Sequence, residues 1–218
     1  MKRLVIAIDG PSGAGKGTVS RAISDALGYR HVDTGAMYRA VGWKAVRDGI
    51  PLDDETAVSA LARESNIVVE TGVVAIDGHD VTRAIRTPEI DKAATAVARL
   101  PKVREVLVTR QRALGAEGGV VMEGRDIGTV VFPNADVKIY LDASTEERAR
   151  RRASDAAHSG SQAGPAAVAE AIQARDKADT TRAISPLSIA PDAVRIDTTE
   201  MPIEKVVDHV MGLVRSRL

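Results

Sequence analysis

LVIAIDGPSGAGKGT, residues 4–18, decides the fold. It opens with a short apolar run rich in β-branched residues, Leu4-Val5-Ile6-Ala7-Ile8, which reads as a strand buried on both faces. Asp9 ends the run, and Gly10, Gly13, Gly15, Lys16, Gly17 and Thr18 follow. A helical pattern then carries Val19, Ala22, Ile23, Ala26 and Leu27 and stops at Gly28. Glycines between a strand and a helix let backbone N–H groups turn inward and approach a polyphosphate closely, and the helix N-terminus adds partial positive charge. The loop Gly10-Pro11-Ser12-Gly13-Ala14-Gly15-Lys16-Gly17-Thr18 therefore reads as a cradle for a polyphosphate, with Lys16 on the β- and γ-phosphates. The general rule puts Ser or Thr directly after the lysine; here Gly17 intervenes and the hydroxyl is on Thr18. Either Thr18 or water then fills that place on Mg²⁺.

Composition narrows the rest. A chain of 218 residues buries a proper core, with one domain and modest insertions as the expectation. Thirty Lys and Arg balance thirty Asp and Glu, and aromatics are 2% of residues, which argues against nucleic acid or an anionic membrane as a partner. With no cysteine, disulfides, Cys-based zinc sites and thiol chemistry are excluded. No signal-peptide pattern precedes the first strand and no apolar run approaches the ~20 residues of a membrane span. A cytoplasmic protein is expected, a monomer by default.

Strand and helix alternate along the chain. Residues 29–33 read as a second strand and 36–48 as a helix with Met37, Ala40, Val41 and Val46 apolar, capped by Thr34. Arg39 lies one turn in, either reaching an anion at that junction or facing solvent. Asp53 or Asp54 caps a helix ending near Glu64. Residues 67–81 change period: three short β-like runs, ending in His79-Asp80-Val81, are separated by Thr71-Gly72 and Asp77-Gly78, which read as tight hairpin turns. Pro88 and Pro101 each open a helix. Val120 to Glu123 is a third buried strand, delivering Glu123-Gly124-Arg125-Asp126 at the carboxyl end, where open parallel sheets bind ligands. Residues 137–142 and 194–197 are further strands, Ser144 or Thr145 caps a helix, and 202–218 closes the chain. Arg148, Arg150, Arg151 and Arg152 cluster before a small, polar connection at 156–164 that includes His158, and a helix resumes from Pro165 to about Thr180. The fold expected is a three-layer α/β/α sandwich on a parallel five-stranded sheet, with a small antiparallel insert.

Four blocks, IDGPSGAGKGT, DTGAMYR, GRDIGTVVFP and RDKADTTRA, occur in an order and spacing that resemble the bacterial cytidylate (CMP/dCMP) kinases, nucleoside monophosphate kinases of the P-loop NTPases, over nearly the whole chain. The resemblance implies a core over 1–34, 99–150 and 176–218, a monophosphate-binding insert at about 35–98 and a lid at about 151–175. It implies transfer of the γ-phosphoryl group of ATP to CMP or dCMP with Mg²⁺. Gly10 to Thr18 would hold ATP; Thr34, Arg39, Arg125 and Arg175 would surround the acceptor phosphate. Thr95, Arg104, Asp126 and Arg182 would read cytosine, and Asp179 the sugar. Lys16, Arg39, Arg125 and Arg175 would stabilise charge in the transfer, with Thr18 and, through water, Glu123 at Mg²⁺. The family often has Asp where Glu123 stands and Ser where Thr34 stands.

These residues make chemical sense together. Phosphoryl transfer asks mainly for positioning and charge stabilisation. A monophosphate acceptor, with its second pKa about 6, is already a nucleophile and needs no base. That suits a sequence whose four histidines, His31, His79, His158 and His209, show no shared metal spacing and read as structural or solvent residues. Arginines from several segments offset the repulsion between two phosphate-bearing ligands. Those of 148–152 lead into the lid, where they would close over the transferring group or form a solvated face. Arg175, Asp179 and Arg182 fall at i, i+4 and i+7, one helical face, and make either part of the site or a surface ion pair. Trp43, Tyr38 and Phe132 read as packing. A guanine-specific switch would show Asn-Lys-x-Asp, and neither Asn66 nor Asn134 precedes a lysine.

Overall fold

The structure, a computed structural model, describes residues 3–70, 72–154 and 165–218. The connection expected at 156–164, His158 and Thr71 of the first hairpin turn lie outside the described residues. The first half of the chain runs β1 (Val5–Asp9), α1 (Lys16–Leu27), β2 (Arg30–Asp33), α2 (Thr34–Arg47), α3 (Glu55–Glu64), β3 (Ile67–Glu70), β4 (Val73–Ile76), β5 (His79–Asp80) and α4 (Pro88–Val97). The second runs α5 (Pro101–Gly115), β6 (Val120–Gly124), one π-helical turn (Ile127–Val131), β7 (Val137–Asp142), α6 (Thr145–Ala153), α7 (Pro165–Thr181), β8 (Val194–Asp197) and α8 (Ile203–Arg215).

Five strands form a parallel sheet in the order β2-β6-β1-β7-β8. The strand of the opening motif is central, as its apolar run predicts, and its pleat serves two cores. Leu4, Ile6 and Ile8 pack with Val19 and Ile23 of α1 and Val206, Val210 and Val214 of α8. Ala7 faces the other way, with Val32, Met122, Ile127, Val131 and Val108 of α5. A third core holds α2 to α4 against the small antiparallel sheet β3-β4-β5 through Met37, Val41, Val58, Val69, Val74 and Ile76. No helix among the described residues is long and apolar enough to cross a membrane.

Several expectations change in detail. Asp33, not Thr34, caps α2: its carboxylate accepts from the Ala36 N–H at 3.1 Å, and the helix begins at Thr34. Asp54 caps α3 and Ser144 caps α6. The Asp77-Gly78 turn is as expected, both residues at positive φ (50° and 78°), which two-residue hairpins of this hand require. The third short strand stops at Asp80, one residue early. Val46 and Ala26 are exposed, while Ser20 and Ser24 take buried places on α1. The π-helical turn was not foreseen: the Phe132 N–H reaches back five residues to the Ile127 carbonyl at 2.7 Å.

Candidate active site

The loop after β1 is shaped by what lies beneath it. Gly10 has φ 148°, and a Cβ there would fall 2.0 Å from the Leu141 carbonyl oxygen. Gly13 has φ 81°, and a Cβ would meet the Arg148 backbone at 2.8 Å. Neither position admits a side chain. Lys16 opens α1, and its buried Nζ donates to the Pro11 carbonyl at 2.8 Å, curling back across the loop. Burial holds the Lys16 ammonium well below its usual pKa, and the facing Arg125 and Arg175 lower it further.

Beside this loop is a narrow cavity, partly open to solvent. Thr34 and Tyr38 of α2, Thr95 of α4, Arg104 of α5, Arg125 and Asp126 after β6, and Arg175, Asp179 and Arg182 at the end of α7 line it. Eight of the nine residues expected around the acceptor thus share one cavity wall. The ninth, Arg39, is not on that wall but is buried next to it, its Nε donating to Asp91 at 2.9 Å and its Nη1 4.0 Å from Asp33. The solvent-facing alternative for Arg39 is therefore overturned.

The arginines are crowded. Arg125 Nε donates to Asp179 at 2.8 Å, and Arg175 Nε lies 3.9 Å from the same carboxylate. Arg104 donates to Asp126, whose other oxygen is 3.4 Å from Arg182 Nη2. These are not the surface ion pairs that spacing alone allows; Arg104, Arg182, Asp126 and Asp179 are all buried. Burial first, then Arg125 and Arg39, push Arg175 down to about 10. Arg104 Nε, Arg175 Nε and Arg182 Nη2 are buried without a hydrogen-bond partner. Buried donors left unmade are costly, and a ligand rich in acceptors would satisfy them. The Arg104 guanidinium lies over the Tyr38 ring at 5.6 Å, so Tyr38 packs as predicted while still touching the site. Trp43 and Phe132 are half-buried against the core.

Two positions do more than expected. The Thr34 hydroxyl is free of capping and donates to the Glu123 carbonyl at 2.7 Å, tying β2 to β6 at the cavity floor. His31, read as structural, is buried with Nε2 2.9 Å from the Glu123 carboxylate. His79 and His209 are exposed. Glu123 Oε1 lies 3.3 Å from where a Gly17 Cβ would stand, so glycine between Lys16 and Thr18 leaves this carboxylate against the start of α1. No group of three or more His, Cys, Asp or Glu among the described residues makes a closed metal cage. One carboxylate and one exposed hydroxyl, Glu123 and Thr18, remain beside the phosphate loop, a hard-oxygen set that suits Mg²⁺ completed by phosphate and water.

The four arginines of 148–152 divide. Arg148 is a scaffold: it donates to Ala143 and Ser12 carbonyls at 3.0 and 3.1 Å and to Asp176 at 2.6 Å, bracing the loop from below. Arg150 pairs with Glu147 in solvent. Arg151 binds Thr198, whose hydroxyl also lies 3.4 Å from the Ala14 carbonyl. Arg152 alone reaches the cavity region, donating to Asp91.

Sequence reasoning passed over Asp9 and Asp91. Asp9 accepts from the Ile127 and Gly128 N–H groups at 2.9 and 2.7 Å and so anchors the turn that follows Asp126. Burial pushes its carboxyl up to about 6. Its place at the carboxyl end of a central strand was the available signal.

A family model described as cytidylate kinase matches residues 6–216. The protein named cytidylate kinase from Desulfitobacterium hafniense (strain Y51) is 48% identical over 220 residues, covering 100% of this chain and 95% of that protein. The one so named from Pelotomaculum thermopropionicum is 51% identical over 214 residues, covering 96% and 95%. Among solved structures, a shikimate kinase from Acinetobacter baumannii in complex with shikimate matches with a TM-score of 0.51 at 15% identity, covering 98% of this chain and 94% of that one. That last likeness is one of fold.

Proposed function

The chain belongs to the cytidylate kinase family, and from that premise we propose that it transfers the γ-phosphoryl group of ATP to CMP or dCMP, giving ADP and CDP or dCDP. The observation that carries the reading is the crowd of buried cations with unmade donors. Burial and the facing Arg125 and Arg175 lower the basicity of Lys16, burial and the neighbouring Arg125 and Arg39 lower that of Arg175, and a polyanion among them would relieve that conflict.

The residues divide the work. The 10–18 loop and Lys16 bind and orient the donor phosphates. The open groove beside it, lined by Ser144, Asp197, Thr199, Glu200, Met201 and Pro202, adjoins the loop through Thr198 and would take the donor nucleoside. Thr34, Arg39, Arg125 and Arg175 hold the acceptor phosphate in line, and their charge meets the charge spread over the transferring group. Asp126 accepts from the exocyclic amine of cytosine, Thr95, Arg104 and Arg182 meet its acceptor edge, and Asp179 binds the sugar. When bound, Mg²⁺ neutralises phosphate charge; Thr18 and, through water, Glu123 would hold it. In this reading 35–98 is the acceptor insert, 151–175 the lid that excludes water, and the enzyme acts as a cytoplasmic monomer on free nucleotides.

The test is the initial rate with Mg-ATP against CMP, dCMP, UMP, AMP and GMP. A preference for CMP and dCMP by orders of magnitude is expected. If UMP matches CMP, the base-reading assignment fails and the kinase stands. If no monophosphate is turned over while ATP binds, the phosphoryl-transfer reading fails.

A further inference from the structure

Three helices send an arginine to one carboxylate that belongs to none of the matching motifs. Asp91, in the first turn of α4, accepts from Arg39 Nε of α2 at 2.9 Å and from Arg175 Nη1 of α7 at 3.2 Å through Oδ1. Its Oδ2 accepts from Arg152 Nη2 of α6. Asp91 is fixed by its own helix: its N–H donates to the Thr87 carbonyl at 2.9 Å, and its carbonyl accepts the Thr95 hydroxyl at 2.9 Å. Guanidinium groups from separate elements gathered on two oxygens of one anion is the arrangement arginines make around a phosphate monoester. Two of these three, Arg39 and Arg175, are assigned above to the acceptor phosphate. Each also has a second carboxylate behind it, Asp33 at 4.0 Å from Arg39 and Asp179 at 3.9 Å from Arg175.

We propose that Asp91 is a resident counter-anion and a specificity-determining residue, occupying arginine donors that a phosphate group would otherwise take. The inference rests on the reading of this cavity as the acceptor site. Its consequence is a threshold. A phosphate group alone meets arginines already neutralised and is held weakly. A nucleotide also engages the Arg104–Asp126–Arg182 end of the cavity, and the added contacts carry it over the threshold. Selection by a built-in opposing charge is a form of discrimination against incomplete ligands. Every monophosphate meets the same opposition, so the ranking among bases is left to the other end of the cavity.

Asp91→Asn keeps the size and removes the charge. Titration of the full-length protein with inorganic phosphate alone, followed by calorimetry, should show about tenfold tighter binding than wild type, the scale of a partly screened charge pair. KM for CMP should fall by a similar factor, with the CMP to UMP preference unchanged. Phosphate bound no tighter, or more weakly, by a folded Asn variant would overturn the proposal and leave Asp91 a scaffold for the arginines. Asp91→Ser, checked by circular dichroism and melting, serves if the Asn variant does not fold; if neither folds, Asp91 is structural and the proposal falls. Phosphate titration needs no turnover. Failure of wild type to phosphorylate any nucleotide would thus sink the kinase reading separately from the result on Asp91.

Discussion

Asp126→Asn separates the ion-pair role that the structure gives this carboxylate from the base-reading role proposed for it. Asp126 lies between two arginines, and the three side chains are 8%, 3% and 4% exposed for Asp126, Arg104 and Arg182. At the 3.4 Å separating Arg182 Nη2 from Asp126 Oδ1, the gross attraction is about 5 kcal/mol for an effective dielectric of ~20. Desolvation offsets much of that in the intact pair, but removing one partner leaves the buried cations uncompensated, typically a loss of about 3–5 kcal/mol. Arg104 keeps the Ala98 carbonyl at 3.4 Å, and Arg182 keeps the Ser185 carbonyl at 2.5 Å. The asparagine oxygen also still accepts a bond, so the lower end, about 3 kcal/mol, is expected by urea unfolding. The effect on base choice follows from hydrogen-bond polarity. A carboxylate accepts from the amine of cytosine and faces the corresponding oxygen of uracil unpaired. An asparagine amide turns to donate to that oxygen. The CMP to UMP ratio of kcat/KM, read by coupled ADP release, should fall about 100-fold. A ratio unchanged within about threefold, in a variant that has lost the expected stability, would refute the base-reading role and leave Asp126 an ion-pair scaffold. Unchanged stability would refute the ion-pair argument itself.

Lys16→Met should lower kcat by about 10³-fold, the scale of losing one preorganised charge, while the nucleotide-free protein melts no lower than wild type, because the variant removes a buried cation that its surroundings disfavour. A stabilised wild-type lysine, seen as a lower melting point in the variant, would contradict that account. Gly10→Ala drives a Cβ to 2.0 Å from the Leu141 carbonyl and should cost more than about 3 kcal/mol in denaturant unfolding; a variant as stable as wild type would mean the loop shifts freely. Asp9 predicts a pH dependence. Its folded pKa is raised from 3.8 to about 6, so the folded state binds this proton more tightly than the unfolded chain does. That stabilisation is full below pH 3.8 and is lost as pH rises through 6, about 3 kcal/mol at 1.36 kcal/mol per pH unit. The stability of wild type minus that of Asp9→Asn should therefore decline between pH 4 and 7, and a flat difference would refute the burial argument.

What was legible in the sequence is what is encoded locally. The strands are short apolar runs bounded by turn residues, and Val137–Asp142 and Val194–Asp197 fall where periodicity puts them. The loop at 10–18 is legible because its glycines answer to constraints that only a strand-to-helix turn imposes. The convergence of arginines is different. Spacing places Arg175, Asp179 and Arg182 on one face but is silent on what covers that face, and so leaves a surface pair and a buried site equally open. Their burial is decided by α4, α5 and the chain after β6, far away in sequence. Thr34 shows the same limit in miniature. Its hydroxyl is a good cap by local rules, but a carbonyl 89 residues away takes it, and the neighbouring Asp33 caps instead. The π-helical turn after Asp126 has no local signal, because the group that fixes it is Asp9, 118 residues earlier.

Charge shows why a whole-chain quantity misleads at a site. Thirty basic and thirty acidic side chains cancel, and that balance describes the chain as a whole. Around the cavity and loop the balance is different. Lys16, Arg39, Arg86, Arg104, Arg125, Arg152, Arg175 and Arg182 face Asp33, Asp91, Asp126, Asp179 and Glu123. With Asp9, beside Lys16 and Asp126, included, the cations outnumber the carboxylates by two, and several carboxylates are shared between two or three arginines. Held in water, such a cluster would be unremarkable. Buried, it raises the free energy of the empty protein, and in the proposed reading a phosphate would relieve that cost. In that reading the same acids have two functions: they make the cluster foldable, and they limit how tightly any phosphate is held. Asp126 and Asp179 do this where a base and sugar would repay the contact, whereas Asp91 does it where only phosphate would sit. Stability and selectivity are in that sense one electrostatic arrangement, and the two carboxylate variants, one at each end of the cavity, should move them in different proportions.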